Sequence, residues 1–309
     1  MSRPVTFSTQ ALPEHDGVRP ALPGEVRDRL YVRTGPVGGE PALFVHGLGG
    51  SSTNWTDLMG ALSPVLAGEA VDLPGFGRSP APADGRYTVG AHARAVIAHL
   101  DAGGRGPVHL FGNSLGGAVS TRVAADRPDL VRTVTLISPA LPNLRPQRGS
   151  DKRLPLLLVP GLSALATRRL AAVSPEQRAR AVLDMCFADP SAIPALRIAE
   201  AVEEVRRRNA LPHSGDAFTR SLRGLIGSYL VRGPGALWAR AATVTAPTLL
   251  VWGAKDRLVD VSLAPRAAST FPDSRLLVLP DVGHVAQMER PEIVARAFLG
   301  MLEELAVES

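Results

Sequence analysis

The stretch LFGNSLGGA, residues 110–118, places one serine among glycines where an apolar run gives way to small residues. The preceding run, VHLFG at 108–112, is apolar throughout, as in a strand buried on both faces. After Ser114, apolar residues recur at helical spacing until Pro128, which cannot continue a helix. The stretch therefore predicts a strand, a sharp turn that carries Ser114, and a helix.

The glycines on either side of Ser114 have a physical explanation. A serine held in a strained turn crowds its neighbours, and Gly112 and Gly116 lack the Cβ atoms that would collide there. The pattern Gly-x-Ser-x-Gly between a strand and a helix is typical of a serine nucleophile. We therefore expect Ser114 to be a nucleophile, which needs a base, a group that orients the base, and an oxyanion site.

Seven strand-like runs recur along the chain, with helical stretches between them. The runs cover residues 29–34, 42–47, 70–73, 108–112, 134–138, 248–253 and 275–280, and helices are expected near 55–67, 88–102, 115–127, 260–270 and 290–306. Several runs are continuously apolar rather than alternating, as in parallel strands covered on both faces. The predicted fold class is α/β, with a mostly parallel sheet flanked by helices.

The alternation of strands and helices stops between residues 141 and 234. Helical patterns without a strand signal run through 174–187, 194–209 and 215–230, separated by proline and glycine. We therefore expect an all-helical cap at 141–234, inserted into an α/β core formed by 25–140 and 235–309. Residues 1–24 contain no apolar segment of the length that a secretory signal needs, and they are interpreted as an N-terminal extension.

The composition is that of a folded globular protein rather than a disordered or fibrous one, with 45% hydrophobic and 20% charged residues. The uncharged, leucine-rich stretch 154–167 is too short for a membrane span and is interrupted by proline. The single cysteine, Cys186, excludes an internal disulfide and favours a reducing compartment such as the cytoplasm. We assign Cys186 no chemistry and interpret it as a small core residue.

The net charge of +5 is uneven along the chain. Residues 141–234 carry 15 Lys and Arg against 8 Asp and Glu, whereas the remainder carries 19 against 21. Neither a zinc-ligand spacing nor a nucleic-acid motif accompanies the excess, and we interpret it as solvated helix faces. We expect a small-molecule substrate, with no nucleic-acid partner, metal or cofactor.

The candidate base and its orienting acid follow the last strands. His284 alone among the seven histidines follows all the strand-like runs, in a loop at the sheet edge where ligands gather. The chain order Ser, Asp, His places the acid after the preceding strand, where Asp256 stands. Asp260 is ranked second because it is expected to cap the next helix, and Asp281 third because it is too near His284 along the chain.

The candidate oxyanion site lies in FVHGLGGSSTNW, residues 44–55, between a strand and a helix. Glycines at positions 47, 49 and 50 allow backbone N–H groups to point at a developing oxyanion. We expect the Leu48 N–H to act with the Leu115 N–H. His46 is interpreted as a structural histidine beneath the loop.

With these residues the chain resembles the α/β-hydrolase-fold serine hydrolases that carry a helical cap. HGLGGSSTNW, DLPGFGRSP at 72–80, GNSLGG and WGAKDRLVD…GHVAQMERP follow the family's order and spacing over about residues 29–306. The resemblance implies a triad of Ser114, Asp256 and His284 and an acyl-enzyme. Serine at the nucleophile position argues against the members with an aspartate nucleophile, the dehalogenases and epoxide hydrolases.

Three functions stay open. The first is hydrolysis of a carboxylic ester of a hydrophobic small molecule. It is favoured by apolar cap residues suited to lining a pocket, namely Leu156, Leu157, Leu158, Val159, Leu162, Leu165, Met185 and Phe187. The second is carbon–carbon bond hydrolysis of vinylogous diketones, as in the family's ring-cleavage-product branch. The carboxylate substrates of that branch would suit Arg178 or Arg197. Its members usually carry an aromatic residue directly after the histidine, where this chain has Val285. The third is a non-catalytic small-molecule receptor on the same fold.

Overall fold

The computed structural model describes residues 2–13, 23–27, 29–36, 38–143 and 173–308. Within them, eight strands form one sheet in the order β1-β2-β4-β3-β5-β6-β7-β8. The strands are β1 (Gly24–Arg27), β2 (Leu30–Thr34), β3 (Glu40–Val45), β4 (Leu66–Asp72), β5 (Val108–Asn113), β6 (Val131–Ile137), β7 (Thr248–Gly253) and β8 (Ser274–Leu279). Only β1 with β2 and β2 with β4 pair antiparallel. The predicted α/β class with a mostly parallel sheet is confirmed.

The helices of the described residues flank this sheet or lie between β6 and β7. They are α1 (Thr56–Leu62), α2 (Val89–Gly103), α3 (Leu115–Asp126), α4 (Pro175–Cys186), α5 (Ala195–Ala210), α6 (Ser214–Tyr229), α7 (Leu237–Ala241), α8 (Ala264–Thr270), α9 (Ala286–Glu289) and α10 (Pro291–Glu308). Each strand predicted from the sequence is present. Strand β1 was not predicted, because its four residues are largely exposed and two of them are charged, so no hydrophobic pattern marks the strand.

Side chains along the central strands alternate between two apolar cores, one on each face of the sheet. In β5, Leu110 belongs to the core that includes α2 and α3, whereas Phe111 belongs to the core that includes α1 and α10. Phe111 stacks on Phe44 of β3 with ring centroids 4.4 Å apart, and it lies 4.9 Å from the ring of Phe298 in α10. Burial on both faces explains why these strands are apolar throughout.

The carboxyl ends of four parallel strands lie at one edge of the sheet. Strands β3, β5, β7 and β8 all run in the same direction. The segments that follow them carry Leu48, Ser114, Asp256 and His284, respectively. The topology therefore brings the four predicted functional segments to the edge where ligands bind in α/β sheets.

The described residues between β6 and β7 are helices and their connections. Helices α4 and α5 pack together through Ala179, Val202 and Val205. No strand occurs in residues 173–247. Residues 144–172, which include the predicted cap's uncharged stretch, lie outside the described part of the chain, and the cap boundaries stay a prediction.

The N-terminal segment 2–13 lies against the last strand and the last helix. Arg3 forms an isolated parallel bridge with Arg275 of β8, and the Ser8 N–H donates to the Arg296 carbonyl at 3.0 Å. The segment contains no helix. In the described ranges, no helix has both the length and the apolar character that crossing a bilayer requires.

Candidate active site

Ser114 occupies the turn between β5 and α3 in a conformation that is rare for a residue with a side chain. Its φ is 54° and its ψ is −117°, a region that costs a non-glycine residue about 1–3 kcal/mol. The Ser114 N–H donates to Ile137 O at 3.0 Å, and its carbonyl accepts from the Ala118 and Ala140 N–H groups at 3.1 and 2.9 Å. Bonds to Ile137 at the end of β6, to Ala140 beyond that strand and to Ala118 in α3 thus hold the strained turn.

The two glycines beside Ser114 allow the close packing that the sequence pattern predicts. A Cβ on Gly116 would lie 2.1 Å from the Val45 carbonyl oxygen, and a Cβ on Gly112 would lie 2.5 Å from Ser120 Oγ. Neither distance is tolerated between real atoms. Helix α3 therefore begins in direct contact with the end of β3.

Asp256 and His284 are brought together at the same edge of the sheet. The Nδ1–H of His284 donates to Asp256 Oδ2 at 2.8 Å, and both side chains are almost completely buried. The other carboxylate oxygen, Oδ1, accepts the N–H groups of Leu258 and Val259 at 2.8 and 2.9 Å. The loop thus fixes Asp256 through Oδ1. Oδ2 orients the imidazole through Nδ1, so that Nε2 stays available for chemistry.

The charge of Asp256 is stabilised although the group is buried. Burial alone would raise the pKa of this carboxyl, but the nearby His284, the hydrogen bond to His284 and the two backbone N–H donors outweigh burial and lower it. Asp256 is therefore a carboxylate across the physiological pH range. A carboxylate in this position favours the imidazole tautomer that carries its proton on Nδ1.

The backbone of His284 is held from two further directions. Its N–H donates to Cys186 O at 2.7 Å, and its carbonyl accepts from Asn113 Nδ2 at 3.1 Å. Asn113 immediately precedes Ser114 and also donates to Ile137 O at 3.0 Å. Among the described residues, no hydrogen bond joins Ser114 Oγ to His284 Nε2; Asn113 links the two positions.

Asn113, whose side chain is hydrogen-bonded to the backbone of Ile137 and His284, was not predicted from the sequence. It occupies the free position of the Gly-x-Ser-x-Gly pattern, so the pattern gives it no weight. The signal that could have found it is a polar amide at the end of an otherwise apolar strand, where a buried side chain must find hydrogen-bond partners.

The other two candidate acids have different partners. Asp260 accepts the Ser262 N–H at 2.8 Å at the start of a short 3₁₀ turn, which is the capping role expected of it. Asp281 is exposed and pairs with Lys255 Nζ at 2.8 Å. Of the three acids ranked from the sequence, the structure pairs Asp256 with His284.

The loop after β3 rests on the buried ring of His46. The ring Nδ1–H donates to Gly47 O at 2.7 Å, and Nε2 accepts the Leu73 N–H at 2.9 Å. This pair of bonds requires the neutral imidazole, and burial lowers the pKa of His46. Because the C=O and N–H of one trans peptide point in opposite directions, the Leu48 N–H points away from the His46 ring.

The Leu48 and Leu115 amides lie in segments that adjoin Ser114. A Cβ on Gly47 would be only 3.1 Å from Ser114 Cβ, so the loop touches the serine directly. Leu115 is the first residue of α3, where an N–H has no partner within the helix. Within the described ranges, neither amide donates to another protein group. Their role as oxyanion donors stays a prediction.

Two side chains from the region between β6 and β7 lie on the same loop. Arg208 Nη1 donates to Gly49 O at 2.7 Å, and the Phe218 ring lies 3.1 Å from where a Cβ on Gly49 would be. Burial, with repulsion from Arg178 and Arg207, lowers the pKa of Arg208 to about 10. No carboxylate in the described part of the chain pairs with Arg208. The loop is thus flanked by one aromatic ring and one cation.

The two arginines considered from the sequence are already bonded to protein groups. Arg197 is buried and pairs with Asp57 of α1 and, at 3.0 Å, with Glu200. Arg178 Nη1 donates to Asn209 Oδ1 at 2.6 Å on the surface. Arg208, which the sequence analysis did not single out, is the cap-region arginine that contacts the candidate oxyanion loop.

The predicted apolar lining of the cap is only partly described. Phe187 is buried in a cluster with Leu183, Ile193 and Val285, the residue after His284. Met185 is half-buried. The other six residues singled out, between 156 and 165, lie outside the described residues. Phe187 therefore packs the end of α4 against the His284 segment.

A cavity of about 360 Å³ opens elsewhere, beside β2 and α5. Its described lining is Gly24, Tyr31, Arg33, Ser52, Thr53, Asp72, Arg78 and Arg207. None of Ser114, Asp256 and His284 lines it. We assign this cavity no part in the candidate active site, because the hydrogen-bonded acid and imidazole lie elsewhere.

Comparison with known proteins identifies relatives that match most of this chain. The chain is 32% identical over 281 residues to a protein from Variovorax paradoxus that is named as the carbamate hydrolase RutD, covering 89% of this chain and 96% of the relative. It is 28% identical to a 2-hydroxy-6-oxononadienedioate/2-hydroxy-6-oxononatrienedioate hydrolase from Pseudomonas sp., covering 90% and 93%. A further relative, the dihydrolipoyllysine-residue acetyltransferase component of the acetoin cleaving system of Pseudomonas putida, is 32% identical, covering 91% and 68%.

A solved structure and a family model agree with these relatives. The structure of a bacterial membrane phospholipase A superposes with a TM-score of 0.71 at 26% identity, covering 93% of this chain and 86% of that one. Residues 41–291 match the model of the alpha/beta hydrolase fold family. This match covers strands β4 to β8 and all but the first residue of β3, together with Ser114, Asp256 and His284. The chain therefore belongs to the α/β hydrolase fold family.

Proposed function

We propose that this protein is a serine hydrolase that cleaves a carboxylic ester of a hydrophobic small molecule through an acyl-enzyme. The observation that carries the proposal is the 2.8 Å bond from His284 Nδ1 to Asp256 Oδ2, made by a histidine whose carbonyl is bonded to the residue preceding Ser114. Ser114 acts as the nucleophile, His284 as the general base and acid, and Asp256 as the orienting group.

Acylation begins when Ser114 Oγ attacks the ester carbonyl carbon and His284 Nε2 takes the hydroxyl proton. The developing imidazolium is stabilised by the buried Asp256 carboxylate. The negative charge on the substrate oxygen is stabilised by the Leu48 and Leu115 N–H groups, and loss of one such donor costs about 10²–10³ in rate. His284 then gives its proton to the departing alcohol, which leaves an ester bond between Ser114 and the acyl group.

Deacylation repeats the same proton movements with water. His284 Nε2 takes a proton from water, the resulting hydroxyl attacks the acyl carbon, and the same two amides stabilise the oxyanion. The proton returns to Ser114 Oγ as the carboxylic acid is released. The enzyme is thereby restored without a cofactor.

An apolar substrate is supported by the surroundings of the candidate oxyanion loop. The Phe218 ring lies against Gly49, so one side of the loop is covered by an aromatic surface. Membership of the α/β hydrolase fold family and similarity to proteins named as a carbamate hydrolase and a phospholipase A support hydrolysis at an acyl carbon. The reducing, cytoplasmic location expected from the single cysteine stays a prediction.

The second candidate is hydrolysis of a carbon–carbon bond in a vinylogous diketone that carries a carboxylate. The observation that favours it is Arg208, a half-buried guanidinium on the candidate oxyanion loop with no carboxylate partner among the described residues. A relative named as a 2-hydroxy-6-oxononadienedioate hydrolase adds support. The ester hypothesis is preferred because it needs no group beyond the proposed triad and an apolar surface.

One kinetic comparison separates these functions. Purified protein is tested with p-nitrophenyl esters of increasing acyl length beside a vinylogous diketone carboxylate, together with Ser114→Ala, Asp256→Asn and the control Asp260→Asn. We expect ester turnover with a burst of nitrophenol, loss of turnover in Ser114→Ala, and a decrease of about 10³–10⁴ in kcat for Asp256→Asn, because the imidazole tautomer is lost. Asp260→Asn should retain the wild-type rate.

Each other outcome selects another function. Turnover of the diketone without ester turnover would replace the ester hypothesis by carbon–carbon bond hydrolysis. Absence of turnover and of a burst with every substrate would indicate the receptor hypothesis. Equal kcat values for Asp256→Asn and Asp260→Asn would exclude Asp256 as the orienting group.

A further inference from the structure

The last residue of α4 and the two residues after it, 186–188, form a segment that is hydrogen-bonded to the loop that carries His284. The His284 N–H donates to Cys186 O at 2.7 Å. One residue earlier in that loop, the Gly283 N–H donates to Glu289 Oε1 at 2.8 Å, and the Ala188 N–H donates to Glu289 Oε2 at 2.9 Å. The carboxylate of Glu289 thus joins the two segments, with one oxygen on each.

The two segments are in direct contact at Gly283. A Cβ on Gly283 would lie 2.5 Å from Cys186 O and 2.7 Å from the Ala188 nitrogen, so no larger residue fits while the segments stay in place. Beside this backbone contact, Phe187 packs against Val285 in an apolar cluster. The contact therefore combines close backbone packing, three hydrogen bonds and an apolar layer.

Glu289 has the chemistry of a bridging group rather than of a surface charge. The residue is half-buried, and no basic side chain in the described part of the chain forms an ion pair with it. Burial raises the pKa of Glu289, and its backbone N–H donors oppose this effect. Hydrogen bonds from an N–H to an ionised carboxylate are about twice as strong as neutral ones.

We propose that Glu289 is a positioning residue for the proposed hydrolase reaction. It holds residues 186–188 against Gly283, and this contact fixes the backbone of His284 relative to Asp256 and Ser114. The inference rests on the proposed function, because it assigns Glu289 an effect on catalysis that is exerted through His284. Glu289 itself touches neither the substrate nor the reacting atoms.

The effect on rate follows from the geometry of proton transfer. Asp256 orients the imidazole about Nδ1, but the position of the ring also depends on the His284 backbone, which is held by Cys186 and Asn113. Without Glu289, the Gly283 and Ala188 N–H groups lose their acceptors and the two segments can separate. A displacement of about 1 Å between reacting groups costs about 10² in rate.

The test uses the full chain with a p-nitrophenyl ester and a fluorophosphonate that reacts with active-site serines. Glu289→Gln keeps the size of the side chain but presents an amide donor to one of the two N–H groups, and Glu289→Ala removes both acceptors. We expect kcat per titrated site to fall about 10-fold in Glu289→Gln and about 100-fold in Glu289→Ala, with KM within about twofold of wild type. The matched control is Glu292→Gln, an exposed glutamate at the start of α10.

Active-site titration distinguishes positioning from a merely structural role. A structural role lowers the number of sites that the fluorophosphonate labels, whereas a positioning role lowers the rate at each labelled site. Gly283→Ala provides a second variant that separates the same segments without changing Glu289, and it should lower kcat in the same way. Its control is Gly227→Ala in α6, where an added Cβ meets no atom within 4 Å.

The inference is overturned if kcat per titrated site in Glu289→Gln and Gly283→Ala stays within twofold of wild type, or if the only change is a lower titre. If Glu289→Gln does not fold, Gly283→Ala decides by the same criterion. Absence of any fluorophosphonate reaction with the wild-type protein would instead overturn the proposed function, and the inference with it.

Discussion

Ser114 has a backbone conformation that its side chain makes unfavourable. With φ at 54°, a glycine would fit at lower cost than serine or alanine. We predict that Ser114→Gly raises the free energy of unfolding by about 1–2 kcal/mol. Ser114→Ala should change it by less than about 0.5 kcal/mol, because the strain is retained. Urea denaturation measures both, and equal stabilities of the two variants would show that the turn is unstrained.

The reactivity of the Cys186 thiol reports on its surroundings at the contact between α4 and the His284 loop. Burial, with Asp256 and Glu289 nearby, raises the pKa of its thiol to about 12. Since the thiolate is the reactive form, the native protein should resist alkylation by iodoacetamide at about pH 8, far below this pKa. In urea the same thiol should react at the rate of an ordinary cysteine. Mass spectrometry of the intact protein follows both, and rapid labelling of the native protein would contradict the placement of Cys186.

The residues predicted from the sequence are those whose side-chain chemistry itself indicates a role in catalysis. Asp256 and His284 follow from residue type, chain order and position after a strand, and the structure joins them by a hydrogen bond. Asn113 and Glu289 were not predicted, because each acts by bonding backbone groups that come from distant parts of the chain. Such pairings depend on the packing of the whole fold, which residue types do not show.

Helix α3 can approach the sheet only because it begins with small residues. Gly116→Ala would place a Cβ 2.1 Å from Val45 O and 2.5 Å from His46 O. We predict that this variant loses about 2–3 kcal/mol of stability and most of its activity, because α3 and Ser114 must move away from β3. The control is Gly60→Ala in α1, where nothing lies within 4 Å.

The control should gain about 0.5–1 kcal/mol, since alanine favours a helix over glycine. Thermal denaturation and ester turnover of the two variants make the comparison. Wild-type stability in Gly116→Ala would show that α3 does not touch the end of β3.

Elements were predicted best where hydrophobic pattern and burial agree. Strand β4 was expected only at 70–73, although it spans Leu66–Asp72, because Gly68 and the buried Glu69 interrupt the apolar run. Glu69 is accommodated by His99 Nε2 at 3.1 Å and by Arg105 at 2.9 Å. The partners of this buried charge come from other elements of the fold. The local hydrophobic pattern does not show them, so it predicts that the strand starts only after Glu69.

For the whole molecule, a buried ion pair joins the core to the predicted cap. Arg197 of α5 pairs with Asp57 of α1, and both residues are less than 10% exposed. We predict that Asp57→Ala lowers the free energy of unfolding by about 3 kcal/mol, because it removes the more buried of the two carboxylates that pair with Arg197 and leaves only Glu200 beside the buried guanidinium. Replacing both residues by apolar ones, Asp57→Leu with Arg197→Met, should cost less than the single change.

Chemical denaturation of the single and double variants gives the coupling between the two residues. If the double variant loses more free energy of unfolding than the two single variants lose together, the pair does not act as a buried ion pair. The exposed pair Arg206 and Glu176, within the predicted cap, is the control, and its removal should leave the free energy of unfolding close to the wild-type value.

The predicted cap contacts both sides of the candidate active site. Arg208 donates a hydrogen bond to Gly49 in the candidate oxyanion loop, and the Cys186 carbonyl accepts one from the His284 N–H. The sequence indicated an inserted helical region from its lack of strand signals, but not which residues would meet the core. These contacts join positions more than 90 residues apart, so they depend on topology rather than on local pattern.

The central claim is that Ser114 forms the covalent intermediate with His284 as its base. The most direct measurement is peptide mass spectrometry after a timed reaction with a fluorophosphonate, applied to wild type, Ser114→Ala and His284→Ala. We predict a phosphonyl group on Ser114 in the wild type, none in Ser114→Ala, and formation slowed at least about 10³-fold in His284→Ala. Labelling at another residue, or an unchanged rate in His284→Ala, would contradict the account.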